Sequence, residues 1–225
     1  MLGGMSWHST ELYHRAINER VAARLGGLHS ARLLVSSVDF ADIAALQRED
    51  RWDDAGAVLA DHARRLQRAG ADLLVLATNT MHEVAGAIEA AVSVPFLHIA
   101  DPTGEALRRD GVRRVGLLGT RFTMTRAFYV DRLRERHGLD VLVPDAAGIA
   151  DVDRIVFDEL CVGVVDDGSR ARYREVIADL AACGAEAVIL GCTEITLLVS
   201  PGDSPVPTYD TTALHARAAA DAALA

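Results

Sequence analysis

The stretch "AGADLLVLATN" at residues 69–79 lies without a gap over "CGAEAVILGCT" at residues 183–193. Gly70 meets Gly184, Asp72 meets Glu186, Leu76 meets Leu190, and Thr78 meets Cys192. Each copy is an apolar run that gives way to short polar residues and a helical period, so each predicts a strand feeding a helix. Further on, "VPFLH" (94–98) meets "VPTYD" (206–210) after a two-residue gap. Any two helix–turn–strand units share some features, but eleven ungapped positions favour duplication. Near-continuous apolarity points to parallel strands buried on both faces. The expected fold class is therefore α/β: two similar domains with parallel-rich sheets, related by a pseudo-twofold, with the active site in the cleft between them. Ligands of such sheets bind beyond the carboxyl ends of the strands. The repeat puts Thr78 and Cys192 at equivalent corners, where a pseudo-twofold would let them face each other.

Outward from the repeat, strands are expected at 31–40, 71–78, 95–100, 113–120, 139–144, 185–192 and 206–210. Helices are expected near 9–24, 53–69, 80–91, 101–109, 123–137, 147–162, 169–183 and 211–223. This alternation is the signature of an α/β chain. The first domain is expected to span 1–98 and 208–225, and the second 99–207. "RRVGLLGT" (113–120) is a full strand before a glycine turn, whereas its counterpart "MLGG" has only Met1 and Leu2 before Gly3. Most of the first strand is thus expected to be missing, with a loosened "GGMSW" loop after it.

Composition excludes several chemistries. All 23 basic residues are arginine. Without lysine there is no Schiff base for pyridoxal phosphate and no Walker A phosphate loop. The net charge of −9 argues against a nucleic-acid partner, which wants a basic face. No apolar run approaches the length of a membrane span, and "MLGGMSWHST" lacks the features of a signal peptide, so a cytoplasmic protein is expected. The cysteines Cys161, Cys183 and Cys192 are odd in number in a chain expected to be cytoplasmic, so no disulfide framework is expected. Eight histidines show no ligand spacing, and no metal site is expected.

The chemistry is expected at the two corners. A helix that starts after each strand offers free N–H groups and a positive dipole end. Asn79, Thr80 and Thr193 could cap these helices, donate to a carboxylate, or do both. A thiol at a helix N-terminus has a lowered pKa, so Cys192 is expected near its thiolate form, able to act as base or nucleophile. Cys161, in "FDELCVG", and Cys183, in "LAACGAE", are expected to be packing residues.

The blocks "GGMSW", "GGLHSARLLVSSVDF", "TNTMH", "VPFLHIADPT", "VGLLGTRFTM", "GCTEI" and "YDTTALHA" together resemble the aspartate/glutamate racemase family across nearly the whole chain. "GCTEI" resembles the amino-dicarboxylate branch more than the hydantoin branch. The resemblance implies an enzyme without a cofactor that holds an amino acid between two thiols on opposite faces of Cα. One thiol removes the α-proton and the other returns a proton to the opposite face. Carried over, it implies Cys192 and Thr78 as the catalytic pair. Met5, Ser6, Gln47, Asn79, Thr80, Thr120 and Thr193 would line the substrate site, and a homodimer is implied. Gln47 or Arg48 would reach a distal carboxylate, although Arg48 reads equally as a solvated arginine at a helix end. Thr78 departs from the family's usual cysteine, and a threonine hydroxyl is a poor base. An asymmetric site follows, in which Cys192 serves one enantiomer well and Thr78 the other poorly. Cys161 stands where some relatives carry a lysine, which leaves aspartate and glutamate both open as substrates. Two other readings remain. One is a decarboxylase or cis-trans isomerase of small dicarboxylates that uses a single cysteine. The other is a binding protein of weak or lost catalysis.

Overall fold

A computed structural model describes residues 1–225. The chain forms two compact units, Met1–Ile99 with His215–Ala225, and Ala100–Leu214. No helix is long and apolar enough to cross a membrane.

The first unit contains β1 (Leu2–Gly3), α1 (Trp7–Leu25), β2 (Ser36–Ser37), α2 (Phe40–Arg48), α3 (Trp52–Arg68), β3 (Leu74–Val75), α4 (Ala85–Ala91) and β4 (Phe96–Leu97). β1 pairs with β2 and β3 with β4, all parallel, and a parallel bridge from Leu2 to Leu76 joins the pairs. The strand order is thus β2-β1-β3-β4. The second unit contains α5 (Ala100–Arg109), β5 (Arg114–Gly119), α6 (Arg121–Thr125), α7 (Ala127–His137), β6 (Asp140–Leu142), α8 (Ala146–Asp158), α9 (Asp167–Ala182), β7 (Ala187–Gly191), α10 (Ile195–Leu198) and β8 (Thr208–Asp210). Its parallel sheet has the order β6-β5-β7-β8, the same topology. The last helix, α11 (Thr211–Ala223), contains the point where the chain returns to the first unit.

The sequence repeat is a repeat of backbone detail. Leu74 pairs with Phe96, and its counterpart Val188 pairs with Thr208. Gly70 ends α3 at φ 94°, and Gly184 follows α9 at φ 95°. In both turns the glycine N–H donates to the carbonyl three residues back, Gln67 or Ala181, and the next N–H reaches one residue further, to Leu66 or Leu180. A left-handed residue reverses each helix into its strand, and glycine adopts that conformation without a Cβ clash.

The strand period of two sorts side chains to the two faces of the first sheet. Leu74 and Leu76 enter one buried cluster with Ile43, Leu59 and Ile88. Val75 and Ala77 enter the other with Tyr13, Ile17 and Ala216. Past β4 the ladder gives way to buried imidazoles. His215 donates through Nε2 to the Leu97 carbonyl (2.9 Å) and accepts at Nδ1 from the Tyr13 hydroxyl (2.6 Å). His82 accepts at Nε2 from the Ile99 N–H (3.1 Å) and donates through Nδ1 to the Thr78 carbonyl (2.8 Å). These partners fix a neutral tautomer for each ring.

Several expectations are corrected. The strand expected at 31–40 is reduced to Ser36–Ser37, which pairs with Leu2–Gly3. The same region starts a helix that the sequence reading lacked: the Asp39 carboxylate accepts from the Ala41 N–H (2.9 Å) and caps α2. The helix expected at 123–137 is broken by an extended Arg126 into α6 and α7. The chain leaves the second unit after Leu214 rather than at the expected 207/208 boundary, because β8 is hydrogen-bonded to β7. β1 has two residues and β5 has six.

Two outcomes follow. Gly104 in α5 has no room for a Cβ, which would overlap the His137 ring, whereas exposed Gly86 in α4 faces open space. Gly104→Ala should therefore destabilise the protein by about 1–3 kcal/mol, and Gly86→Ala should stabilise it by about 0.5–1 kcal/mol, in urea unfolding. Burial first, then the neighbouring His98 and His215, hold the His82 imidazole well below its ordinary pKa of 6.5. Below that value the unfolded chain binds a proton that the folded chain refuses, so stability should fall as pH drops. The decline from this group approaches ~1.4 kcal/mol per pH unit, and urea midpoints that fail to fall between pH 7 and 5.5 would contradict it.

Candidate active site

Each expected site residue is buried, and all but Gln47 follow the carboxyl end of a strand within a few residues. In the first unit, the Ala77 N–H donates to the Leu2 carbonyl (2.9 Å) and the Thr78 N–H to the Leu76 carbonyl (3.0 Å). The chain then turns into a 3-10 segment, Thr80–Val84, before α4 begins. Asn79 stands at the start of that segment with helical φ and ψ and makes no side-chain cap bond, so of the two roles open to it capping is not the one it fills. His82 anchors the corner from within through its bond to the Thr78 carbonyl. Ser6 caps α1, its hydroxyl accepting from the Ser9 N–H (3.5 Å). Met5 packs in the apolar cluster with Leu76 and Met81. Gln47 sits in the last turn of α2 and donates through Nε2 to the Met81 sulfur (2.9 Å). Arg48, beside it, is exposed.

In the second unit, Gly119 and Gly191 are paired across β5 and β7. A Cβ on Gly119 would lie 2.8 Å from the Gly191 carbonyl oxygen, and one on Gly191 would lie 2.8 Å from that of Leu118. Two glycines in register let the strand ends close up, and Thr120 and Cys192 follow them side by side. Thr120 caps α6, its hydroxyl accepting from the Thr123 N–H (3.3 Å). The Cys192 thiol donates to Glu194 Oε2 at 3.0 Å. Both side chains are buried, at 8% and 4% exposure. Thr193 is buried too, and its carbonyl accepts from the Thr196 hydroxyl (2.9 Å).

The lowered thiol pKa expected of Cys192 is overturned. Burial pushes it well above the ordinary value, and the Glu194 carboxylate pushes it further. The helix that was to supply the opposing field is α10, only four residues long, and Glu194 stands at its N-cap. A single turn has little dipole to offer, and a carboxylate at its start outweighs it. Cys192 therefore rests as a thiol. Cys161 lies in the 3-10 turn Leu160–Val162, which packs against α10. Burial and the charge of Glu194 raise its pKa to about 12, so it is no thiolate either. Cys183 is exposed. No group of three His, Cys, Asp or Glu side chains is arranged to hold a metal ion.

Two residues of consequence were missed from sequence. Glu194 is the acidic residue of the "GCTEI" block, and a carboxylate two residues after a cysteine at such a corner can turn back to the sulfur. His82 carries no metal-ligand spacing in the sequence, but it follows Thr78 by four residues, close to one helical turn.

The model of the Asp/Glu/Hydantoin racemase family matches residues 2–219. A solved structure from Yersinia pestis, provisionally assigned as an Asp/Glu racemase, is 51% identical and superposes with a TM-score of 0.94, covering 100% of this chain and 97% of that one. An aspartate racemase homologue from Pyrococcus horikoshii OT3 is 33% identical with a TM-score of 0.85, over 100% of this chain and 97% of the other. The broad specificity amino-acid racemase RacX of Bacillus subtilis (strain 168) is 24% identical over 177 residues, 77% of this chain and 74% of RacX. With a family match that runs almost end to end, and the same fold in relatives of one-third to one-half identity, this chain belongs to the Asp/Glu/Hydantoin racemase family.

Proposed function

We propose that the protein is a cofactor-independent amino acid racemase acting on aspartate or glutamate, with Cys192 and Thr78 exchanging protons with opposite faces of the substrate Cα. One observation carries this reading: a buried thiol hydrogen-bonded at 3.0 Å to a buried carboxylate. Family membership supports it, as do the names of the relatives, which include an aspartate racemase homologue and a broad specificity amino-acid racemase.

The protonation state sets how the pair works. A thiol cannot take the α-proton until it has lost its own. Glu194 Oε2 accepts that proton, the sulfur takes the proton from Cα, and a carbanion conjugated with the α-carboxylate remains. In the return direction the thiol gives its proton to the carbanion, and Glu194 passes one back to the sulfur. Glu194 is thus the proton reservoir and Cys192 the group that touches Cα. On the other face, the Thr78 hydroxyl gives its proton to the carbanion and regains one from solvent while Glu194 releases its own; the transient alkoxide is costly, so this face is the slower partner in both directions. Asn79, Thr80 and Thr193 supply donors for the α-carboxylate, where negative charge builds up. Enantiomers are equal in energy, so kcat/KM is the same in both directions. The asymmetry shows in exchange with retention, where one group removes a proton and returns a deuteron to the same face.

A second reading rests on the same resting thiol. A protonated Cys192 is ready to protonate the carbanion left when a malonate loses carbon dioxide, and such a reaction needs no second base. Release of carbon dioxide from a malonate, with no α-exchange of any amino acid, would favour it.

Proton NMR in D2O with each enantiomer of aspartate and glutamate tests the proposal. Cys192→Ala should lower α-proton loss by at least ~100-fold, and exchange at the original rate would sink the assignment. Thr78→Cys should raise inversion and bring retention exchange of the slower enantiomer up toward that of the faster. Glu194→Gln keeps the shape of the side chain but removes its charge. It should slow exchange by about 10–100-fold while moving thiolate formation, read at 240 nm against Cys192→Ala, to lower pH. An unchanged or higher thiolate midpoint contradicts the role of Glu194.

A further inference from the structure

Within the first unit, one side chain ties the catalytic corner to the strand beside it. His82 is 1% exposed. Its Nδ1–H donates to the carbonyl of Thr78, and its Nε2 accepts from the N–H of Ile99, just past β4. The β3–β4 ladder has already stopped at Val75 and Leu97. Beyond that point the imidazole bridges the two chains where the sheet no longer does. Its ring is confined by His98 at 4.4 Å, Phe96 at 5.6 Å and His215 at 5.9 Å between centroids. A leucine could fill this volume, but it would leave a buried carbonyl and a buried N–H without partners. The ring has one donor and one acceptor, and both are used on backbone groups at this corner.

We propose that His82 is a positioning residue for the Thr78 half of the reaction: by gripping the Thr78 carbonyl and the Ile99 amide together, it fixes the backbone from which the Thr78 hydroxyl delivers its proton. The inference rests on the racemase reading. It assigns His82 no contact with substrate. Its influence passes through the Thr78 backbone, so it acts on one face of Cα only. The proton given by Cys192 comes from another corner and does not depend on it. The neutral tautomer is part of the device. With the proton on Nε2 the ring would present a lone pair to the Thr78 carbonyl and an N–H to the Ile99 amide, and both bonds would turn repulsive.

Two variants separate the bonds. His82→Asn places a side-chain amide where Nδ1 lies and keeps the grip on Thr78. His82→Gln places a carbonyl oxygen where Nε2 lies, so it keeps the bond to Ile99 and loses the bond to Thr78. In D2O, His82→Gln should lower inversion of either enantiomer by 10-fold or more. It should leave retention exchange of the enantiomer served by Cys192 within about 3-fold, and His82→Asn should recover most of the inversion. Equal loss of inversion and retention exchange, no loss at all, or no recovery by His82→Asn each overturns the proposal. If neither variant folds, 15N NMR of the imidazole in the unsubstituted protein decides. A proton on Nδ1 with Nε2 bare, held between pH 6 and 8, supports the grip, and a proton on Nε2 overturns it. Absence of any exchange by the unsubstituted protein is a different failure, because it removes the racemase reading itself.

Discussion

Close approach of two parallel strands at their carboxyl ends is the constraint on which the second unit's chemistry hangs. Gly119 and Gly191 stand opposite each other, and a Cβ on either would run into a carbonyl of the neighbouring strand. The pair lets β5 and β7 stay in register to their last residue. The next residue is then Thr120 on one strand, capping α6, and Cys192 on the other, where the chain turns toward α10. A strand end that splayed apart would carry those side chains with it. Tight backbone packing thus becomes precision in a site, and it is achieved by leaving side chains out.

Burial decides the electrostatics of that site more than any dipole does. Removing Cys192 from water and setting it beside a carboxylate both favour the neutral thiol, and one turn of helix cannot reverse this. A resting thiolate would be a stronger base, but it would be costly to hold in a buried place beside a negative charge. In the proposed reaction the thiol, which donates to Glu194, reaches its reactive form only when that proton passes to the carboxylate. The acid and base forms then differ by a short hydrogen shift rather than by exchange with bulk water.

Much of the fold was legible because the repeat carries its own register. The glycine that ends the helix, the apolar run and the polar corner recur at a fixed offset, and so do their turns and ladder pairings. Local cues failed where length or partnership was decided elsewhere. Residues 31–35 have the composition of a strand but lie outside β2, and composition does not reveal how much partner a strand will find. The cap of α2 by Asp39 was readable in principle, although it was masked by the apolar residues around it. Thr78 and Cys192 could be singled out because they stand at matched positions in the repeat. Glu194 and His82 could not, because their importance lies in where a side chain turns after the corner, back to a sulfur in one case and back to a carbonyl in the other. The protonation of Cys192 depends on burial, which a sequence motif does not report.

The repeat places a hydroxyl at one corner and a sulfhydryl at the other. Two matched thiols can be joined to each other by an oxidant, and that bond would silence both at once. Oxygen in place of one sulfur removes this route. A threonine hydroxyl forms no disulfide, so Thr78 takes no part in this oxidation, and Cys192 has no cysteine at the matched position of the repeat.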